Sequence, residues 1–221
     1  MRKVVAIDGP SGVGKSTVAR GVARELGFAV LDTGAMYRVV TLAALERDTD
    51  LDDGEALAAV ARQLTFDVSG PVMLDGRDVS AAIRGPAVTD AVSRVSAHPP
   101  VRAVLVERQR GWVGEHGGGV VEGRDIGTVV FPDAVVKVFL SADAHVRAER
   151  RQQDELLAAR PAPLDAVEQD LGRRDRADST LGRALNPDQA APDAIVIDTS
   201  SSDAGDVVAR VVACYRERVA T

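Results

Sequence analysis

Nine consecutive residues near the start of the chain have the types and the spacing needed to hold a phosphate group. They read Gly9-Pro10-Ser11-Gly12-Val13-Gly14-Lys15-Ser16-Thr17 and match G-x-x-x-x-G-K-[ST] at every fixed position. In this pattern, backbone N–H groups converge on an anion at a helix N-terminus. We expect the Lys15 ammonium to reach the β- and γ-phosphates and the Ser16 hydroxyl to ligate Mg²⁺. The segment therefore predicts a loop that binds a nucleoside triphosphate.

The residues on either side of this loop supply the elements that must position it. Val4–Ile7 is a short apolar run typical of a buried strand. Residues 15–26 carry apolar side chains at helical spacing, and Gly27 is the expected helix stop. A strand, a glycine-rich turn and a helix in this order are the context that the motif requires.

A second group of residues predicts a site for another phosphate. Arg38 and Arg124 follow strand candidates, and ligands of parallel sheets bind at the carboxyl ends of strands. Guanidinium groups match the geometry of a phosphate dianion. The chain as a whole has a net charge of −6, so clustered arginines are notable. The candidates for this acceptor-phosphate site are Arg38, Arg102, Arg124, Arg174 and Arg183.

Three further arginines are candidates to close over the reacting groups. Arg147, Arg150 and Arg151 lie about one turn apart on the helix that follows Val138-Phe139-Leu140. Arginines in such positions stabilise phosphoryl-transfer transition states. A phosphate-monoester acceptor is already anionic near neutral pH, so this reaction needs no general base. A solvated basic helix face is the alternative interpretation of the same three residues.

Composition and missing motifs exclude several other classes of protein. The guanine-reading N-K-x-D pattern is absent, because Asn186 is the only asparagine and Pro187 follows it. The net charge of −6 argues against a nucleic-acid polymer as partner. Cys214 is the only cysteine, and the histidines have no metal-ligand spacing, so neither a disulfide framework nor a thiolate metal site is expected. No apolar run is long enough to span a membrane, and the first strand leaves no room for a signal peptide. We expect a soluble, cytoplasmic monomer.

Strand and helix patterns alternate along most of the chain. The strand candidates are Val4–Ile7, Phe28–Leu31, Gly119–Val121, Val135–Leu140 and Ala194–Ile197. The helix candidates span 15–26, 34–47, 54–63, 87–97, 100–115, 143–159, 163–180 and 204–219. This order predicts an α/β fold with a five-stranded parallel sheet covered by helices on both faces. Residues 64–79 break the alternation, and their Ser-Gly-Pro and Asp-Gly turns predict a small antiparallel insertion.

Several segments together resemble the bacterial cytidylate kinases, which are nucleoside-monophosphate kinases of the P-loop NTPase type. The resemblance runs from Val4 to about Ser200, and Glu122–Ala134, which reads EGRDIGTVVFPDA, is its most specific segment. The other matching segments are IDGPSG at 7–12, LDTGAMYR at 31–38, DVS at 78–80 with IR at 83–84, VR at 101–102 with QR at 109–110, and RD at 174–175 with DS at 178–179. The insertion at 64–79 is also similar to one that this family carries.

The resemblance implies roles for individual residues. Ser93, Arg102 and Asp125 look like the readers of the cytosine base, and Arg38, Arg124 and Arg174 look like the clamp on the acceptor phosphate. Tyr37 is expected to pack against the nucleotide, Thr33 to line its pocket and Asp178 to meet the sugar. The family usually has an arginine where Leu181 stands here, and an insertion of Leu181-Gly182 would restore the match to Arg183.

These observations lead to one prediction and two alternatives. We predict ATP-dependent phosphorylation of CMP and dCMP with Mg²⁺, in which Lys15 serves the donor and Arg147, Arg150 and Arg151 close the site. The expected organisation is a core at 1–36, 117–145 and 184–221, a monophosphate-binding region at 37–116 and a helical lid at 146–183. The alternatives are a kinase of another monophosphate or small acceptor, and a non-catalytic switch that binds ATP.

Overall fold

The computed structural model describes residues 3–157, 160–180 and 186–220. Its main sheet has five strands in the order β2-β6-β1-β7-β8. These strands are β1 (Lys3–Asp8), β2 (Val30–Asp32), β6 (Gly118–Gly123), β7 (Val136–Ser141) and β8 (Ile195–Asp198). β1 pairs with β7 and β7 with β8 in parallel. The predicted parallel sheet is confirmed.

The chain folds into two compact units, one formed by residues 1–28 with 119–221 and the other by residues 29–118. The helices of the first unit are α1 (Lys15–Leu26), α6 (Ala144–Leu157), α7 (Leu164–Thr180) and α8 (Ala204–Ala220). Those of the second are α2 (Thr33–Glu46), α3 (Gly54–Gln63), α4 (Pro86–Ala97) and α5 (Pro99–Glu115). The described residues also contain 3₁₀ turns at Ala82–Arg84 and Pro187–Gln189. A π-helical turn lies at Ile126–Val130.

The core of the first unit forms around β1, whose apolar residues leave almost no surface exposed. Val5 and Ile7 are fully buried, and Val18 and Val22 bury the sheet-facing side of α1. Burying each such side chain contributes about 1.5–3 kcal/mol. Because β1 and one side of α1 are buried in the core, both ends of the loop between them are fixed in place.

The predicted start of the second strand was wrong by two residues. The sequence pattern places Phe28 in the strand, but its N–H donates to the Ala23 carbonyl at 2.9 Å. Gly27, in the left-handed conformation at φ 68°, ends α1 as predicted, and Phe28 closes this C-terminal cap. The strand therefore begins at Val30. The other predicted helices and strands match to within two residues, and the predicted end of α6 at 159 lies outside the described residues.

The second unit contains the predicted antiparallel insertion. Three two-residue strands, β3 (Phe66–Asp67), β4 (Met73–Leu74) and β5 (Arg77–Asp78), form a sheet in that order. Asp75 and Gly76 connect β4 to β5 with positive φ values of 49° and 82°. An Asp-Gly pair tolerates this conformation, which two-residue hairpin turns require. Among the described residues, no helix has the length and apolar character to cross a membrane.

Candidate active site

The loop between β1 and α1 adopts a conformation that glycine permits and other residues resist. Gly9, Gly12 and Gly14 have φ values of 145°, 83° and 88°. Residues with a Cβ atom rarely adopt these angles. Gly14 is also the N-cap of α1, and the Val18 N–H donates to its carbonyl at 3.0 Å. The loop therefore opens directly onto a helix N-terminus, where an anion is favoured.

Neighbouring backbone atoms leave no room for a side chain at two of these glycines. A Cβ atom on Gly9 would collide with the Leu140 carbonyl of β7. A Cβ atom on Gly12 would lie 2.8 Å from the Arg147 carbonyl of α6. Both obstacles are main-chain atoms, which cannot move aside as a flexible side chain would. The loop is thus packed between the end of β7 and the first turn of α6.

The Lys15 side chain lies inside the loop. Its Nζ donates to the Gly9 carbonyl at 2.9 Å and to the Pro10 carbonyl at 2.8 Å. These bonds hold a positive charge at the position where the loop's N–H groups favour an anion. The contact of Lys15 with the donor phosphates stays a prediction.

The hydroxyl of Ser16, predicted to ligate Mg²⁺, donates to a buried carboxylate. Ser16 Oγ lies 3.0 Å from Glu122 Oε2, and Glu122 is 4% exposed at the end of β6. A hydroxyl and a carboxylate are hard oxygen donors of the type that Mg²⁺ prefers. No group of three acidic, histidine or cysteine side chains among the described residues could hold a metal without other ligands. The donor set therefore fits an ion that reaches the site together with nucleotide phosphates, which is how Mg²⁺ is usually bound.

A second buried carboxylate connects the phosphate loop to the segment after β6. Asp8, the last residue of β1, accepts hydrogen bonds from the backbone N–H groups of Ile126 and Gly127, both at 2.7 Å. Burial raises the pKa of Asp8 to about 6, although the two N–H donors oppose this shift. Asp8 therefore anchors the π-helical turn that follows Arg124 and Asp125.

We expect Asp8→Asn to change how stability depends on pH. Asp8 has an ordinary pKa of 3.8, so the folded protein keeps this proton in a pH range where the unfolded chain has lost it. The free energy of unfolding that Asp8 contributes falls as the pH rises through this window, by about 3 kcal/mol between pH values of about 4 and 6. Asparagine does not titrate. Urea denaturation at a series of pH values should show the free energy of unfolding of the wild type falling by about this amount relative to that of the variant. A difference between the two that does not change with pH would contradict the assignment.

Arg124, Arg151 and Arg174 form a cluster of positive charge. Arg124 Nη1 lies 3.0 Å from Asp178 Oδ2, and Arg174 Nη1 lies 3.9 Å from Asp170 Oδ2. Burial lowers the pKa of Arg174, and the charges of Arg124 and Arg151 lower it further, while Asp170 opposes them. Three guanidinium groups held near one another disfavour their own charges, and a bound anion relieves that repulsion. The structure thus brings Arg124, Arg174 and Asp178 together, and their contacts with an acceptor stay a prediction.

The three arginines of α6 have different partners. Arg147 Nη1 donates to Asp175 Oδ2 at 2.7 Å and to the Ser11 carbonyl of the phosphate loop at 3.3 Å. Arg151 forms an ion pair with Glu155 on the next turn of the same helix. Arg150 bonds instead to Thr199, beyond β8. The alternative of a solvated basic face is therefore wrong for Arg147 and Arg150, whose described bonds are to protein atoms.

The predicted acceptor residues Thr33, Tyr37, Arg38, Ser93 and Arg102 belong to the second unit. Arg38 Nη1 donates to the Ile83 carbonyl at 2.9 Å and to Thr89 Oγ1 at 3.1 Å. Asp32 caps α2 by accepting from the Ala35 N–H at 3.0 Å, which fixes the helix that carries Thr33, Tyr37 and Arg38. Arg102 lies in the first turn of α5, and Ser93 lies on α4.

One predicted site residue, Arg183, lies outside the described residues. Sequence reasoning gave no role to Thr199, and it included Asp8 and Glu122 only as members of matching segments; all three are among the buried polar residues of the first unit. A carboxylate at the end of an apolar strand, as at Asp8, was the signal available in the sequence.

Comparison with known proteins gives matches to cytidylate kinases over nearly the whole chain. The family model described as cytidylate kinase matches residues 5–217. The chain is 49% identical to a cytidylate kinase of Rhodococcus opacus (strain B4) over 97% of this chain and 95% of that protein. It is 44% identical to a cytidylate kinase of Geobacillus kaustophilus (strain HTA426), with 97% of each chain covered. It also matches the bifunctional pantoate ligase/cytidylate kinase of Synechococcus sp. (strain JA-2-3B'a(2-13)) at 47% identity over 98% of this chain and 41% of that protein.

Solved structures show the same fold in more distant proteins. An uncharacterized protein from Eubacterium ventriosum ATCC 27560 superposes with a TM-score of 0.53 at 12% identity, covering 98% of this chain and 99% of that chain. A gluconokinase from Sinorhizobium meliloti 1021 superposes with a TM-score of 0.50 at 16% identity, covering 98% and 93%. These identities are too low to indicate a substrate. The family match over nearly the whole chain is decisive, and the chain belongs to the cytidylate kinase family.

Proposed function

We propose that this protein transfers the γ-phosphoryl group of ATP to CMP and dCMP, giving CDP and dCDP. The observation that carries the proposal is the pair of largely buried arginines Arg124 and Arg174, which lie beside Asp178 and Asp170 in the unit that also contains the phosphate loop. A switch protein needs only the loop. A second concentration of buried positive charge is what an anionic acceptor requires.

The residues of this chain perform the reaction mainly by positioning and by neutralising charge. An oxygen of the acceptor phosphate attacks the γ-phosphorus in line with the bond that breaks, and ADP leaves. Lys15 and the N-terminus of α1 hold the donor phosphates, while Arg124 and Arg174 hold the acceptor phosphate. The acceptor is anionic near neutral pH, so no side chain needs to remove a proton.

Mg²⁺ would be held by the donor phosphates with Ser16, beside the carboxylate of Glu122. When bound, it supplies charge neutralisation between the donor phosphates. We propose that Arg147 and Arg151 close over the transferring phosphoryl group, and that residues 146–183 form the lid that excludes water.

A coupled assay for ADP release tests the proposed function. ATP is supplied with CMP, dCMP, UMP, AMP or GMP, and with no acceptor as control. We expect ADP release to require an acceptor and kcat/KM to be highest for CMP and dCMP. Release without any acceptor would favour a nucleotide-dependent switch. A higher kcat/KM with a purine monophosphate would favour the kinase of another acceptor.

We propose that Asp125 reads the base together with Ser93 and Arg102. The cytosine 4-amino group donates a hydrogen bond, which a carboxylate accepts, whereas uracil has a carbonyl oxygen there and repels it. Asp125→Asn offers an amide that can donate to that oxygen. We expect the ratio of kcat/KM for CMP to that for UMP to fall at least about tenfold.

Asp133 provides the matched control, because it is an exposed carboxylate on the same connection between β6 and β7. Asp133→Asn should leave the ratio unchanged. An unchanged ratio in Asp125→Asn would remove Asp125 from base reading.

A further inference from the structure

Thr199, just beyond the end of β8, connects three parts of the first unit through one hydroxyl group. The residue is 4% exposed. Its Oγ1 lies 3.0 Å from the Val13 carbonyl of the phosphate loop and 3.1 Å from the Ser141 carbonyl at the end of β7. Arg150 Nη1 lies 3.0 Å from the same oxygen, and Arg150 Nη2 lies 2.6 Å from the Thr199 carbonyl. A single buried side chain thus links the donor loop to α6.

The chemistry of these groups determines the direction of each hydrogen bond. A guanidinium group only donates, so the Thr199 hydroxyl accepts from Arg150. Its own single proton must then go to a carbonyl oxygen. The Ser141 carbonyl already accepts from the Thr199 backbone N–H at 2.8 Å. The Val13 carbonyl is also the nearer of the two acceptors, at 3.0 Å against 3.1 Å, and we therefore assign the hydroxyl proton to it.

Holding the Val13 carbonyl orients the next N–H group of the loop. A trans peptide is planar, so the Val13 C=O and the Gly14 N–H point in opposite directions. Gly14 has a φ of 88°, and a glycine in this position has no side chain to limit its rotation. The bond from Thr199 to the Val13 carbonyl therefore limits this rotation and keeps the Gly14 N–H turned away from Thr199.

We propose that Thr199 and Arg150 are positioning residues for the donor phosphates. Thr199 fixes the Val13–Gly14 peptide in the orientation that a phosphate-binding loop needs, and Arg150 fixes the direction of the Thr199 hydroxyl. Arg150 thereby has a different role from Arg147 and Arg151, although all three lie on α6. The inference rests on the proposed function only in taking ATP as the ligand of the loop.

The test compares ATP affinity with CMP affinity in Thr199→Val, which keeps the shape of the side chain and removes the hydroxyl. Calorimetry with a non-hydrolysable ATP analogue and, separately, with CMP gives both dissociation constants without turnover. We expect Thr199→Val to weaken analogue binding about tenfold and to leave CMP binding unchanged. Thr199→Ser, which retains the hydroxyl, should recover most of the lost affinity.

Ser202→Ala is the matched control, because this exposed hydroxyl bonds to the Asp198 carbonyl in the same turn and not to the loop. It should leave both affinities unchanged. Equal losses for the analogue and CMP in Thr199→Val, or no loss for either, would overturn the proposal. If CMP is not the acceptor, the wild-type protein will not bind CMP. The comparison of analogue affinities would then still decide the role of Thr199.

Arg150→Met, made alone and in the Thr199→Val background, separates positioning from direct catalysis. If Arg150 acts through the hydroxyl, Arg150→Met weakens analogue binding in the wild type and adds nothing to Thr199→Val, with kcat little changed. If Arg150 instead contacts the transferred phosphoryl group, kcat falls a hundredfold or more in both backgrounds, which would overturn its assignment. If Thr199→Val lowers the melting temperature too far for calorimetry, Arg150→Met and Thr199→Ser decide the proposal. Weaker analogue binding in Arg150→Met with nearly normal binding in Thr199→Ser would support it, and unchanged binding in Arg150→Met would overturn it.

Discussion

Lys15→Ala should lower kcat by about a thousandfold or more while leaving the dissociation constant for CMP almost unchanged. The Lys15 ammonium lies within the phosphate loop, held by the Gly9 and Pro10 carbonyls at 2.9 and 2.8 Å. It is therefore ready to neutralise charge on the donor, and that charge increases towards the leaving ADP in the transition state. CMP depends on other residues, so the two effects should separate.

Single-turnover kinetics with the variant, together with calorimetry for CMP, measures both quantities. Lys3→Ala is a suitable control, because Lys3 is an exposed lysine at the opposite end of β1. It should leave kcat unchanged. A Lys15→Ala enzyme with substantial turnover would show that the lysine is not part of the donor site, and a parallel loss of CMP binding would indicate a general disruption of the unit.

Arg174→Met should weaken CMP binding by about ten- to a hundredfold and at the same time make the unliganded protein more stable. The Arg174 guanidinium is largely buried, and the charges of Arg124 and Arg151 disfavour it. When Arg174 is replaced, both acidic neighbours still pair with another arginine. Asp170 pairs with Arg173 at 2.9 Å, and Asp178 pairs with Arg124 at 3.0 Å. Because both carboxylates keep a cation, we expect the variant to behave like the replacement of a whole buried ion pair by apolar side chains, which often stabilises by about 1 kcal/mol or more.

For a chain of this length, that gain corresponds to a rise in Tm of about 2–4 °C. Thermal unfolding with and without CMP measures both effects, since the variant should begin at a higher Tm and gain less from the ligand. Arg173→Met, one residue away on the exposed side of α7, is the control and should leave CMP binding unchanged. A lower Tm together with unchanged CMP affinity would mean that Arg174 stabilises the fold and does not bind the acceptor.

Local patterns in the sequence were sufficient to predict the main elements. The apolar run at Val4–Ile7, the loop motif and the Gly27 stop lie within the first 27 residues, and each depends only on its near neighbours. The Asp75-Gly76 turn was recognisable for the same reason, because a pair of residues determines it. The fold therefore followed from periodicity and turn chemistry.

The contacts that organise the site depend on residues far apart in the chain, and local patterns do not record them. Ser16 meets Glu122 across 106 residues, and Val13 meets Thr199 across 186. The sequence showed three similar arginines on α6, but nothing in their spacing indicated that Arg150 bonds to Thr199. The π-helical turn at Ile126–Val130 was likewise missed, because the Asp8 carboxylate that anchors it belongs to another strand.

The close approach of Gly12 to the Arg147 carbonyl limits how the proposed lid can pivot. The first turns of α6 are fastened to the main sheet by main-chain packing at Gly12, by Arg147 and by the Arg150 bonds. We therefore expect the proposed lid to pivot beyond Arg150, while the first turns of α6 stay on the phosphate loop. Such a motion would leave the phosphate loop unchanged, and a nucleoside triphosphate could stay bound while monophosphates exchange.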